Sequence, residues 1–238
     1  MAVQAERRSD QTPTPETVSV ILRAEGLTKQ VSSPEGPLTI LDDVTLEIRR
    51  GEAVALVGPS GAGKTTLLAL LAGLDQPTRG RIWLGHDELT ALDEDGRAML
   101  RARRVGFVFQ SFHLVQSLTA LENVMLPLEL AGDPGALRQA TATLAQVGLA
   151  ARIHHYPRQL SGGEQQRVAV ARAFVTGPEV LFADEPTGNL DTATGEKIVE
   201  LLFDLNARTK TTLVLVTHER ELAARCDRVI TVVGGRIA

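Results

Sequence analysis

Apolar residues recur along this chain in short runs rather than long ones. The first, VSVILRAE at residues 18–25, alternates partially and is rich in β-branched side chains, which predicts a strand. After a Pro/Gly/Ser stretch at residues 32–37, LTILDDVTLEI at 38–48 predicts a second strand of the same kind. From residue 53 the pattern changes. AVALV at 53–57 is apolar throughout and bounded by Gly51-Glu52 and Gly58, as expected of a strand buried on both faces. VGFVF at 105–109, VLFA at 180–183, TLVLV at 212–216 and VITVV at 229–233 repeat it. Helical periodicity lies between several of these runs, beginning at residues 65–72, so the chain predicts a mostly parallel sheet covered by helices. Residues 117–156 break the rhythm. They carry no strand pattern and predict helices near 120–130, 135–146 and 150–155, separated by Gly132-Asp133-Pro134 and Gly148, as a helical insertion in an α/β core. Residues 1–17 are polar, with Pro13 and Pro15, and predict a disordered tail.

Composition narrows the class. The 238 residues are 43% hydrophobic and 23% charged, which predicts one or two globular domains. Aromatic residues make up 3% and the net charge is -4, so neither a base-stacking platform nor a basic footprint marks nucleic acid as a partner. Apolar runs such as LLALLA at 67–72 fall far short of the ~20 residues a bilayer span needs. The N-terminal residues lack the apolar stretch of a signal peptide, and a cytosolic chain is expected. Cys226 has no cysteine to pair with and no motif around it, so it reads as a packing residue. Arg97, Arg101, Arg103 and Arg104 cluster on a predicted helix. A solvated face is their ordinary reading, with lipid headgroups or a membrane partner as the other.

Candidate chemistry begins at Gly58-Pro59-Ser60-Gly61-Ala62-Gly63-Lys64-Thr65-Thr66. This is a G-x-x-x-x-G-K-[ST] loop that follows a predicted strand and opens a predicted helix, the context the motif requires. Its glycines let backbone N–H groups curl around phosphate oxygens, and the helix N-terminus adds partial positive charge. Lys64 can bridge the outer phosphates, and the Thr65 hydroxyl can ligate Mg²⁺. A phosphate loop of this kind also needs a metal-holding carboxylate at the end of a neighbouring strand, and VLFA ends in Asp184-Glu185. Asp184 can hold Mg²⁺. Glu185, one residue on, points differently and can accept a proton from an attacking water.

Leu160-Ser161-Gly162-Gly163-Glu164, followed by QQRVAVARAF, is the decisive piece. By itself it is a capping box, Ser161 with Glu164 three residues later. With the phosphate loop upstream, it resembles the signature of the nucleotide-binding subunits of ATP-binding-cassette (ABC) transporters. The resemblance extends from residue 18 to 238. It implies an α/β P-loop NTPase cassette with a RecA-like core, an N-terminal antiparallel β subdomain and an α-helical subdomain inserted at about 111–160. It implies ATP and Mg²⁺ as ligands, and a head-to-tail dimer in which residues 161–164 of one copy cover the ATP held by the other. Gln110 resembles the family's glutamine that senses the metal and couples to the membrane partner. Asp191 resembles the acid of the loop crossing the dimer seam, and His218 the histidine that contacts the γ-phosphate and orients water.

Segments such as RVGFVFQSF, LTALENVMLPL, LFADEPTGNLD and LAARCDRV are similar to the lipoprotein-release and macrolide-export branch, and within it to the YbbA-like group. That likeness implies a separate integral membrane permease, a docking face on the helical insertion with residues 111–118 near it, and a peripheral location on the cytoplasmic face of the inner membrane. An ATPase that regulates a membrane complex without moving cargo is the alternative. The distance from Lys64 to Ser161 leaves no room for the long insertions of cassettes that act on DNA or the ribosome. One position departs from the family. Lys29-Gln30-Val31 stands where an aromatic side chain usually stacks on adenine, and no Tyr, Phe or Trp precedes Trp83, so weaker or less base-selective binding is expected.

Overall fold

A computed structural model describes residues 19–34 and 36–238. The expected tail, and Val18 of the first strand, lie outside the described residues. In chain order the elements are β1 (Val20–Ser33), β2 (Gly36–Arg49), β3 (Ala53–Val57), α1 (Lys64–Leu71), β4 (Arg79–Leu84), β5 (Asp87–Glu88), α2 (Glu94–Arg104), β6 (Val105–Phe109), α3 (Ala120–Leu130) and α4 (Ala136–Gln146). After them come α5 (Gly162–Phe174), β7 (Val180–Asp184), α6 (Thr192–Thr209), β8 (Thr212–Val216), α7 (Arg220–Ala224), β9 (Arg228–Val233) and β10 (Arg236–Ile237). No helix among the described residues is long and apolar enough to cross a membrane.

The strands form two sheets. An antiparallel one runs β2-β1-β4-β5, and a second runs β10-β9-β3-β8-β7-β6, parallel except for β10. The continuous apolar runs are buried because this second sheet is covered on both faces. Successive residues of β8 show it: Leu213 and Leu215 join one core with helices α3 to α6, while Val214 and Val216 join the other with α1 and the antiparallel sheet. Alternation of side chains about a strand requires that split. In β2 the burial alternates from Val44 onward, as a sheet with one wet face demands.

Register aligns the functional ends of the strands. Leu56 of β3 sits opposite Val216 of β8, Val216 opposite Asp184 of β7, and Asp184 opposite Phe109 of β6. These four residues are level across the sheet. Each is followed within one or two residues by a candidate site residue: Gly58, His218, Glu185 and Gln110. The crevice outside the carboxyl ends of parallel strands is where open α/β sheets place their ligands.

Two expectations are corrected. Residues 150–155 do not form a helix; only Ala150–Arg152 makes a 3-10 turn. The carbonyls of Ile153 and His155 accept instead from the N–H groups of Leu121 and Ala120, donors in the first turn of α3 that no intrahelical bond satisfies. The second correction concerns the arginines of α2, which are not a solvated face. Arg97 is buried and pairs with Glu94 at 2.7 Å, Arg101 pairs with Glu94 at 2.8 Å, and Arg104 pairs with Asp87 at 2.6 Å and with Glu179. Arg103 alone of the four is exposed without a partner among the described residues. Cys226 packs against the core, and its thiol is pushed up to about 11, chiefly by burial.

Candidate functional site

The phosphate loop leaves β3 and turns into α1 through glycines that nothing else could replace. Gly58 has φ 146°, and a Cβ there would press into the Val232 carbonyl of β9. Gly63, at φ 97°, is the residue before α1, and a Cβ would lie 2.8 Å from Leu41 Cδ2 and 2.9 Å from the Ile40 carbonyl. Side chains are therefore excluded where β9 and β2 press on the loop. Lys64 is only 9% exposed, and its ammonium donates to the carbonyls of Gly58 and Pro59, both at 2.9 Å. It braces the loop from inside. The first N–H groups of α1 have no intrahelical acceptor, so the helix presents donors and partial positive charge at the loop.

Around the loop is a cavity of about 590 Å³, lined by Leu38, Ile40, Gly58, Ser60, Gly61, Gly63, Lys64, Thr65, Thr66, Glu185 and His218. Glu185 holds a left-handed backbone, φ 44°. Its N–H donates to the Val216 carbonyl and its own carbonyl accepts from Gly188, both at 3.0 Å. His218 Nδ1 lies 3.3 Å from Glu185 Oε1. In the Nδ1–H tautomer the imidazole steers the carboxylate. Thr65 Oγ1 faces Asp184 Oδ1 at 3.5 Å. Desolvation raises the pKa of Asp184, with the neighbouring Glu185 charge adding to it, while the Thr65 hydroxyl and Lys64 pull it down. One hydroxyl plus one carboxylate is the small set of hard oxygen donors with which proteins hold Mg²⁺ alongside substrate phosphates, so these residues fit that ion.

Other sequence-predicted residues are placed elsewhere. None of Ser161, Gly162, Gly163 and Glu164 lines this cavity. They form the start of α5, where Ser161 accepts from the Glu164 N–H and Glu164 Oε2 accepts from the Ser161 N–H at 2.8 Å, the capping box. Asp191 caps α6 through the Thr194 N–H at 3.0 Å and also lies outside the cavity. Gln110 is not at the cavity wall either. Its carbonyl accepts from Asn189 at 3.0 Å, and its amide reaches the Asn189 side chain at 3.4 Å.

Three features escaped the sequence pattern. Leu38 and Ile40 read as ordinary strand residues, yet among the described residues they are the only large apolar side chains on the cavity wall, and Leu38 is 56% exposed. Arg172 of α5 is partly buried and donates to the carbonyls of His113 at 2.7 Å and Phe112 at 3.0 Å, two successive residues with left-handed backbone. Gln166 of α5 is fully buried beneath the Glu185 loop. A partial signal for the first lay in residues 29–31, where the absence of an aromatic was visible and its replacement was not.

With this geometry in view, the likeness to known proteins is specific. The family profile described as ABC transporter matches residues 41–188. The uncharacterized ABC transporter ATP-binding protein YbbA of Escherichia coli is 55% identical over 219 residues, covering 91% of this chain and 96% of that protein. The lipoprotein-releasing system ATP-binding protein LolD of Legionella pneumophila is 47% identical over 220 residues, covering 92% and 97%. The same protein of Xanthomonas euvesicatoria is 46% identical over 226 residues, covering 94% and 93%. Among solved structures, the ATP-binding cassette MJ0796, in a dimeric post-hydrolysis state bound to ADP and Pi, matches with a TM-score of 0.84 and 39% identity, over 91% of this chain and 96% of that one. The family match runs unbroken from β2 through the phosphate loop and the capped start of α5 to the Asp184-Glu185 turn, and the chain accordingly belongs to the ABC transporter family, as an ATP-binding subunit and ATPase.

Proposed function

We propose that two copies of this chain close head to tail on two ATP molecules and drive a separate membrane permease of the lipoprotein-release or hydrophobic-compound export type. The observation that carries this is the split of the site. Phosphate loop, Glu185 and His218 share one cavity, while residues 161–164 lie outside it in the same copy. A second copy supplies the missing wall through Ser161, Gly162 and Gly163, with Glu164 fixing that turn and Asp191 beside the seam.

Within each closed site, residues 58–66 hold the phosphates and Lys64 meets the outer ones. Glu185 takes a proton from the attacking water, and His218 orients the carboxylate and the water. Thr65 and Asp184, with Gln110, would hold Mg²⁺, which would supply positive charge beside the phosphates. The names of the relatives support the branch, LolD being a lipoprotein-releasing system ATP-binding protein. The permease docks on the helical segment of 111–160, where an apolar cavity of about 270 Å³ opens between Phe107 and Phe109 of β6 and Leu126 and Leu130 of α3. Such a subunit sits peripherally on the cytoplasmic face of the inner membrane. Affinity purification from detergent-extracted membranes is expected to recover a multispan permease with this chain. Recovery of ribosomes or nucleic acid in its place would refute the assignment.

The apolar wall bears on the substrate. The base is the least polar part of a nucleotide, and Leu38 and Ile40 are the surface that suits it. Gln30 and Thr39, polar strand side chains that could read a base edge, hydrogen-bond to each other at 3.1 Å. A site that makes no hydrogen bond to a group discriminates poorly for it, and stacking worth about 1–3 kcal/mol per base is absent. ATP and GTP are expected to bind within about fivefold of each other, since a difference of ~1 kcal/mol corresponds to that ratio. Titration of the two nucleotides checks it, and a preference for ATP well beyond that ratio would contradict it.

A further inference from the structure

We infer that Gln166 is a positioning residue that ties the start of α5 to the loop carrying Glu185. The inference rests on Glu185 being the base. Gln166 stands in the second turn of α5, five residues after Ser161, and is 0% exposed. Its Nε2 donates to the Pro186 carbonyl at 2.6 Å and lies 3.4 Å from the Phe109 carbonyl. Pro186 follows Glu185, and Phe109 precedes Gln110. One amide thus sits on the backbone beside both residues proposed to handle water and metal.

The amide meets two backbone carbonyls while its own oxygen goes unmet. Gln166 Oε1 is buried with no hydrogen-bond partner among the described residues. A buried acceptor left unmet is destabilising, and without the amide the Pro186 carbonyl would be one. What the amide supplies is its N–H. Glu185 keeps a left-handed backbone that a non-glycine residue adopts only under constraint. The Val216 carbonyl holds its N–H, and Gly188 holds its carbonyl. Thr187, two residues on, donates its hydroxyl to Glu219 at 2.7 Å, on the side of the loop towards α7. Gln166 holds the remaining peptide, from the side of α5. A displacement of α5 along its axis, as when its capped start meets a phosphate across the seam, therefore moves the Pro186 carbonyl and with it the carboxylate. The amide links engagement of a neighbouring copy's ATP to alignment of this copy's own base.

Gln166→Leu removes the donor and also the unmet acceptor. In the ATP-competent protein it is expected to lower kcat by about tenfold to a hundredfold, the effect of a small misplacement of a catalytic group, while the KM for ATP stays close to the parent's; the unmet Pro186 carbonyl lowers the melting temperature without altering that split. Gln166→Glu adds a reading independent of folding yield. An ionised carboxylate there faces two carbonyl oxygens, whereas the protonated acid can donate to Pro186. Its kcat relative to the parent is expected to rise as pH falls. If Gln166→Leu folds and retains kcat within about twofold, where misalignment predicts a far larger loss, or raises KM instead, the inference is overturned. Should that variant not fold, a Gln166→Glu ratio that is flat with pH overturns it. Glu185→Gln measured alongside separates the two levels. Retained turnover there removes the base assignment itself, while a dead Glu185→Gln beside a fully active Gln166→Leu removes only the role given to Gln166.

Discussion

Glu185→Gln is expected to bind ATP, accumulate as a nucleotide-held dimer and fail to turn over. The substitution keeps size, shape and the ability to accept from the His218 imidazole 3.3 Å away, so the left-handed turn at this residue has no new strain to relieve. What is lost is the capacity to take a proton from water. Positioned general bases contribute about 10²–10⁴-fold, and the loss in kcat should fall in that range with ATP affinity preserved. Size-exclusion chromatography with and without ATP, run beside a phosphate-release assay, reads both consequences. Turnover within a few-fold of the parent would assign the base elsewhere.

Lys64→Ala should fail at an earlier step. The ammonium spans the Gly58 and Pro59 carbonyls at 2.9 Å, so the alanine variant loses both a phosphate partner and the brace that keeps the loop curled. A hydrogen bond involving a charged group is worth about 1.5–3 kcal/mol, which corresponds to at least about tenfold in ATP affinity. The contrast is diagnostic: Glu185→Gln binds and stalls, whereas Lys64→Ala scarcely binds. Equilibrium binding of a fluorescent ATP analogue separates them, and parental affinity in Lys64→Ala would show that the lysine does not reach the phosphates.

The parts of the site legible in the sequence are those whose chemistry is contiguous. A strand, a glycine turn and a helix start occupy consecutive residues from Ala53 to Leu71, so their order alone implies a phosphate cradle. The Asp184-Glu185 pair and the capping box at Ser161 and Glu164 are similarly local. The four-residue row from Leu56 to Phe109 was not legible, because register is set by hydrogen bonds between strands distant in the chain. Nor was the fate of residues 150–155, whose carbonyls were claimed by α3. The arginines of α2 likewise read as a solvated face, until tertiary packing brought Glu179 and Asp87 against Arg104.

Leu38 and Gln166 mark the same boundary. Local pattern gives Leu38 a place in a strand, but only the packing of β2 onto Gly63 makes it a cavity wall. Gln166 belongs to a helix whose first turn is plain from its cap, but the Pro186 carbonyl it holds is twenty residues away. Near-neighbour chemistry along the chain specifies the sheet class, the phosphate loop, the acid pair and the family. The tertiary structure decided which of those groups share a cavity and which face away from it. Propensity, capping and turn chemistry act between near neighbours in the chain, whereas a cavity wall or a buried amide's partner exists only once distant strands and helices have packed.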